Sequence, residues 1–146
     1  MEWFEMIVEI ERPPEEVFAF LSDLENDPRW RREWVDAKRT SDGPIGVGTT
    51  TSHFAKVLGR RSEAVYAVIE YDPGRAVTWR TVRGPLPLTF RRSVEAAGDG
   101  TRVTMGYAGD FRGLLGLLRP LIVPMGKRAL RGDLPTLRQL LESNSS

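Results

Sequence analysis

Residues 114–142 read LLGLLRPLIVPMGKRALRGDLPTLRQLLE, and the spacing of their apolar side chains decides the fold. Leu114, Leu118, Leu121, Ile122, Met125, Ala129, Leu130, Leu134, Leu137 and Leu141 recur at threes and fours, the period of one helix face. That stripe is long enough for about seven helical turns. Pro120 and Pro124 each remove a backbone donor, so a kink or a broken first turn is expected, with the regular part running from about Pro124 to Glu142. Pro135 is a third point at which the helix can bend. A helix with one such stripe must bury it against a second layer.

Reading backwards, the second layer is a sheet. Candidate strands run over Thr101–Gly109, Leu86–Glu95, Ala76–Arg83, Glu63–Tyr71, Thr49–Leu58 and Val35–Thr40. Between them stand Gly98-Asp99-Gly100, Gly84-Pro85, Asp72-Pro73-Gly74, Gly59-Arg60-Arg61 and Gly43-Pro44 with Gly46-Val47-Gly48. Short turns between consecutive strands mean hairpins, hence an antiparallel meander. Nearer the start, Met6, Val8 and Ile10 alternate with Glu5, Glu9 and Glu11, the mark of a half-buried strand that Pro13-Pro14 stops. Pro14, Glu15 and Glu16 suit a helix first turn, and Val17, Phe18, Phe20 and Leu21 supply its apolar face, ending near Asp23. After a turn at Asn26-Asp27-Pro28, Arg29 to Trp34 reads as a second short helix or tight turn. The expected fold is therefore α+β: seven antiparallel strands in one curved sheet, a long C-terminal helix, and two short helices between the first two strands. It forms one domain over residues 1–143, and 144–146 read as a disordered polar tail.

Composition narrows the functions. Twenty-one basic against twenty acidic side chains leave no field of the kind that binds nucleic acid. The absence of cysteine removes thiolate nucleophiles, disulfides and thiolate metal sites, and a single histidine argues against zinc, so neither metal nor other cofactor is expected. The greasiest run, Leu114 to Met125, is interrupted by Arg119 and Pro120 and is too short for a membrane span. The opening Met1-Glu2-Trp3-Phe4-Glu5 lacks the order of a secretory signal, and cytoplasmic residence is the default expectation.

The element order and the residues that punctuate it resemble the START-like (SRPBCC, helix-grip) superfamily, in its polyketide cyclase/dehydrase branch. The likeness is carried by Arg12-Pro13-Pro14-Glu15-Glu16-Val17-Phe18, Asn26-Asp27-Pro28-Arg29-Trp30, Gly46-Val47-Gly48-Thr49, Val68-Ile69-Glu70-Tyr71-Asp72-Pro73, Gly98-Asp99-Gly100-Thr101 and Arg131-Gly132-Asp133-Leu134-Pro135. It implies a sheet gripping the long helix, with a cavity between them for a hydrophobic small molecule. Members of the superfamily include aromatase/cyclases and lipid carriers, so the resemblance fixes no reaction.

Strand parity supplies candidate residues, because alternate side chains share a face. With Lys56 outside, His53, Ala55 and Val57 point inward, where His53 is either an acid, base or donor to a carbonyl, or an ordinary strand residue. Leu88, Phe90, Arg92 and Val94 share a parity, so Arg92 is a cation in an apolar setting. It then needs Asp110, Glu63 or an oxygen of the ligand as partner, unless a bulge turns it to solvent. Trp79, Met105 and Tyr107 have inward parity as core or cavity wall. The resemblance places Trp30 and Trp34 at the cavity rim, with packing under the first helix as the alternative. Leu117, Leu121 and Met125, flanked by Gly113, Gly116, Pro120 and Pro124, suit a lid. The cluster Arg29, Arg31, Arg32, Arg60 and Arg61 reads as a solvated basic rim.

Three functions stay in view. The first is binding of a hydrophobic or aromatic small molecule between sheet and helix. The second is a cyclase/dehydrase-type enzyme acting on a poly-ketone or aromatic substrate through Arg92, His53 and Tyr107. The third is a partner-binding or membrane-peripheral module using Leu114 to Met125, a stretch that is buried either in this chain or against another copy in a homodimer.

Overall fold

A computed structural model describes residues 2–57 and 59–143, with Glu2, Trp3 and Val57 described by their backbone alone. The strands are β1 (Glu2–Ile10), β2 (Trp34–Arg39), β3 (Thr50–Val57), β4 (Arg60–Asp72), β5 (Ala76–Arg83), β6 (Leu88–Ala97) and β7 (Gly100–Gly109). The helices are α1 (Pro14–Leu21), a 3-10 helix over Leu24–Arg29, and α2 (Leu114–Ser143). All strand pairs are antiparallel, in the order β1-β7-β6-β5-β4-β3-β2. This is the expected helix-grip architecture: a meander from β2 to β7, with β1 closing onto β7 and α2 lying over the inner face.

Local chemistry sets the boundaries. Glu5, Ile7 and Glu9 of β1 are exposed while Ile10 is buried, so the alternation read from the sequence is the alternation of the two faces. Pro14 opens α1 with Glu15 and Glu16 in its first turn, and Arg12 holds Glu16 through both carboxylate oxygens. Asp23 then caps the 3-10 helix by accepting from the Glu25 N–H. Asn26-Asp27-Pro28 therefore lies within the second helix and not before it, and Trp34 already begins β2. In β4, Arg60 and Arg61 are paired opposite Val57 and Lys56, so the strand starts inside the segment read as a turn. Leu58, and the tail expected at 144–146, lie outside the described residues.

α2 is one continuous helical element, so of the kink or broken first turn expected from the prolines the break is absent. Pro120 and Pro124 deprive the carbonyls of Gly116 and Pro120 of their donors, but both prolines are exposed in a stretch whose outer side is open to water. The cost of the missing bonds is correspondingly small there. The second half of α2 buries Leu130, Leu134, Leu137 and Leu141 against Val17, Phe18 and Leu21 of α1 and Val68, Val77, Val94, Val103 and Met105 of the sheet in one core.

The corner between β1 and β7 is tight. A Cβ on Gly100 would stand 2.5 Å from the carbonyl oxygen of Ile10, in a place also fixed by the Thr101 hydroxyl donating to the Arg12 carbonyl at 2.6 Å. Backbone cannot yield as a side-chain tip can, so Gly100→Ala is expected to cost about 1–3 kcal/mol in urea unfolding. Gly98→Ala strains a left-handed turn (φ 59°) with open space around it, and should cost about 1 kcal/mol.

Candidate functional site

The inner face of the sheet carries a band of rings. Phe4, Tyr107, Phe90 and Trp79 are directly paired across β1, β7, β6 and β5. Their rings follow one another at centroid separations of 5.2, 5.7 and 5.0 Å, all near-parallel. Tyr66 on β4 meets Phe90 edge-on at 5.0 Å and stacks with His53 of β3 at 5.5 Å. His53 in turn lies 3.5 Å from the Trp34 ring. Most of this continuity comes from cross-strand neighbours on one face, while Tyr66 reaches Phe90 across the intervening β5.

Arg31 reaches this band through a ring hydroxyl. Arg31, in the link between the 3-10 helix and β2, donates from Nε to Asp133 of α2 at 3.1 Å and from a terminal nitrogen to the Tyr107 hydroxyl at 3.1 Å. Burial opposes its charge, but Tyr107, Asp27 and Asp133 around it outweigh that and hold the guanidinium protonated. The guanidinium also lies 5.5 Å from the Trp30 ring, and among the described residues its other terminal nitrogen has no hydrogen-bond partner, which leaves donors available. The sequence reads Arg31 as part of a solvated rim, yet its side chain is only 12% exposed.

His53 faces the same space with neither ring nitrogen hydrogen-bonded, although the residue is 7% exposed. Burial first, and the charge of Arg31 second, push its pKa down to about 3. The imidazole is therefore neutral at ordinary pH and offers one donor and one acceptor. Burial above all also pushes the Tyr66 phenol well above its usual value, so it stays protonated. Arg31, His53, Tyr66 and Tyr107 thus form a polar set on an aromatic wall. Of these, His53 is buried with both nitrogens unpaired, and such a group costs free energy unless something binds to it.

Arg92 points inward and its neighbour Arg91 outward, but the partner is neither Asp110 nor Glu63. Arg92 forms a two-pronged pair with Asp27 at 2.9 and 2.5 Å and donates to the Leu21 carbonyl at 2.9 Å. Its guanidinium also lies 5.3 Å from the rings of Trp30 and Trp79. Asp110 instead holds Arg112, and Glu63 accepts from Ser52 and Arg83. Trp30 is 2% exposed, inside the core and not at a rim, while Trp34 is half-buried over His53. Met105, fully buried opposite Arg92, is core. Leu117, Leu121 and Met125, at 79%, 64% and 59% exposure, lie on the outside of α2 and do not line the band. At the β1 end of the band the Lys127 ammonium of α2 stands 5.5 Å from the Phe4 ring. A separate open groove of about 690 Å³ between Arg29 and Thr136, Gln139, Leu140, Glu142 and Ser143 shares no residue with the band.

Sequence reading misses Arg31 and Tyr66 of the set, and Asp133, which holds Arg31. Asp133 carries a usable signal, since it stands three residues after Leu130 and four before Leu137, on the buried stripe of α2. Arg31 carries little, because the local backbone that aims it depends on where the 3-10 helix ends.

The family model described as polyketide cyclase/dehydrase and lipid transport matches residues 1–142. No curated protein matches the chain significantly. Among solved structures, TTHA0849 from Thermus thermophilus superposes with a TM-score of 0.82 at 20% identity, over 99% of this chain and 100% of that one. The Zhui aromatase/cyclase from Streptomyces sp. R1128 gives 0.79 at 14% identity, over 99% and 96%. A START superfamily protein from Mycobacterium smegmatis gives 0.70 at 18%, over 97% and 94%. At these identities the structural likeness establishes the fold.

Proposed function

The chain belongs to the polyketide cyclase/dehydrase and lipid-transport family, and from that premise we propose that it binds a flat, largely apolar molecule carrying carbonyl or phenolic oxygens against its inner aromatic band. The observation that carries this is His53, buried with both nitrogens unpartnered, beside the free donors of Arg31. A ring system would stack on Phe90, Tyr107 and Trp34, while its oxygens accept from Arg31 and exchange hydrogen bonds with His53. Stacking supplies affinity, and the polar set supplies orientation.

Thermal shift and titration with aromatic polyketides, flavonoids and lipids test this, with native mass spectrometry of the purified protein to detect a co-purified molecule. His53→Phe keeps the ring stack but removes the hydrogen bonds, and should raise Kd by about tenfold. Arg31→Met should raise it by about tenfold to a hundredfold, a bond from a charged donor being stronger. Tight binding left unchanged in both folded variants would sink the proposal, as would no binding across the panel.

A second reading is cyclase/dehydrase chemistry at the same place, favoured by Arg31 and Tyr107 meeting over the band. They would hold a ketone oxygen while His53 takes a proton from the adjacent carbon. That carbon would then bond to a second carbonyl carbon, whose oxygen takes the proton back from His53, and loss of this hydroxyl with a second hydrogen of the first carbon would release water and leave a carbon–carbon double bond. In this reading Arg31 takes the role that strand parity gives Arg92, whose donors are turned to Asp27 and Leu21. An imidazole titrating at about 3 is a feeble base, and this places binding ahead of catalysis.

A further inference from the structure

The two halves of α2 turn opposite sides to apolar use. At about 100° per residue, Leu114, Leu117, Leu118, Leu121 and Met125 project to one side of the helix, opposite the buried Leu130, Leu134, Leu137 and Leu141. The first group is exposed, by 39% at Leu118 to 79% at Leu117. Further along, the solvent side turns polar through Arg128, Gly132, Arg131 and Arg138. Thus the core-facing stripe does not explain the leucines of the first half.

Charge indicates what does. From Phe111 to Gly132 the chain holds Arg112, Arg119, Lys127, Arg128 and Arg131 and no acidic residue, and the next carboxylate, Asp133, is buried with Arg31. Arg128 and Arg131 are exposed beside the apolar side. A second copy docked through the same face would cover the leucines but bring no carboxylate from the first half of α2 to Arg128 and Arg131. A surface of anionic headgroups over hydrocarbon satisfies both halves of the pattern at once. We propose that the first half of α2 docks the protein onto anionic lipid bilayers, with Leu117, Leu121 and Met125 dipping below the headgroups and Arg128 and Arg131 held at phosphate level. Among the described residues no helix is long and apolar enough to cross a membrane, so the contact is peripheral.

Co-sedimentation decides this, using vesicles of phosphatidylcholine alone and of equal parts phosphatidylcholine and phosphatidylglycerol. The wild-type protein should bind the mixed vesicles, bind the neutral ones poorly, and release with added salt. Leu117→Ser with Leu121→Ser should lower partitioning by about tenfold or more, because two leucines lose their burial. Arg128→Glu with Arg131→Glu should abolish the preference for phosphatidylglycerol. All four positions are outside the core, and circular dichroism with urea unfolding confirms that each variant still folds. No binding to mixed vesicles overturns the proposal, as does binding that both double variants retain. So does a concentration-dependent dimer, seen by light scattering, that Leu117→Ser with Leu121→Ser dissolves while vesicles go unbound. None of these readouts depends on what occupies the aromatic band.

Discussion

Asp27→Ala is expected to destabilise the protein by about 3–5 kcal/mol, a large fraction of what holds a domain of this size together. Asp27 and the Arg92 side chain are 0% and 2% exposed, and the pair joins the 3-10 helix to the middle of the sheet. Removing the carboxylate leaves a guanidinium buried between two indoles with the Leu21 carbonyl as its one remaining hydrogen-bond acceptor. The melting temperature should fall by about 10 °C or more. Arg92→Met strands Asp27 in the same way and should cost a similar amount. The double variant Asp27→Leu with Arg92→Met should cost much less than the sum, because no uncompensated charge remains. Urea unfolding of the wild type, Asp27→Leu, Arg92→Met and the double variant measures the coupling, and strict additivity would show that the pair is not what fixes this corner. Affinity for an inner-face ligand, measured where the double variant is folded, should change far less than in Arg31→Met.

Acid should unfold the protein through its one histidine. His53 titrates at about 3 in the folded state against 6.5 when free, so between those values the unfolded chain binds a proton that the folded one does not. Stability contributed by this residue is fully present above pH 6.5 and is lost as the pH falls, at up to about 1.4 kcal/mol per pH unit, until about pH 3. Carboxylates act in the same direction at the lower end, the Glu142 carboxylate, bonded to the Glu11 N–H, being one whose pKa folding lowers. His53→Phe isolates the imidazole: its stability should be nearly flat between pH 6.5 and 5, where the wild type declines. Urea midpoints across that interval check this, and parallel curves would mean that His53 is solvated or partnered in the folded protein.

The fold is legible because its signals are periodic and local. Glu5 and Glu9 mark the outer face of β1, the turn residues mark every hairpin, and the β6 parity that turns Arg92 inward is observed. What escapes the sequence depends on pairs far apart in the chain. Asp27 reads as a turn residue until β6, 65 positions on, presents Arg92 to it. Arg31 looks like one of several surface arginines until Asp133 and Tyr107 converge on it. Parity also says nothing about which stripe of a helix meets the sheet where apolar residues fall on both sides, and for that reason Leu117, Leu121 and Met125 read as a lid in the sequence and stand outside in the fold.

The strand order also dictates a sequence of events during synthesis. Every neighbouring pair from β3 to β7 is joined by a short hairpin, and β2 by a longer loop to β3, so this meander can zip up as the chain emerges. β1, α1 and the 3-10 helix leave the ribosome first but have nothing to hold: Ile10 pairs with Thr101, and Asp27 waits for Arg92. The first thirty residues to be made are therefore among the last to be secured, and a nascent chain stalled before β7 exposes Phe4, Met6, Val8 and Ile10 to whatever binds unpaired strands.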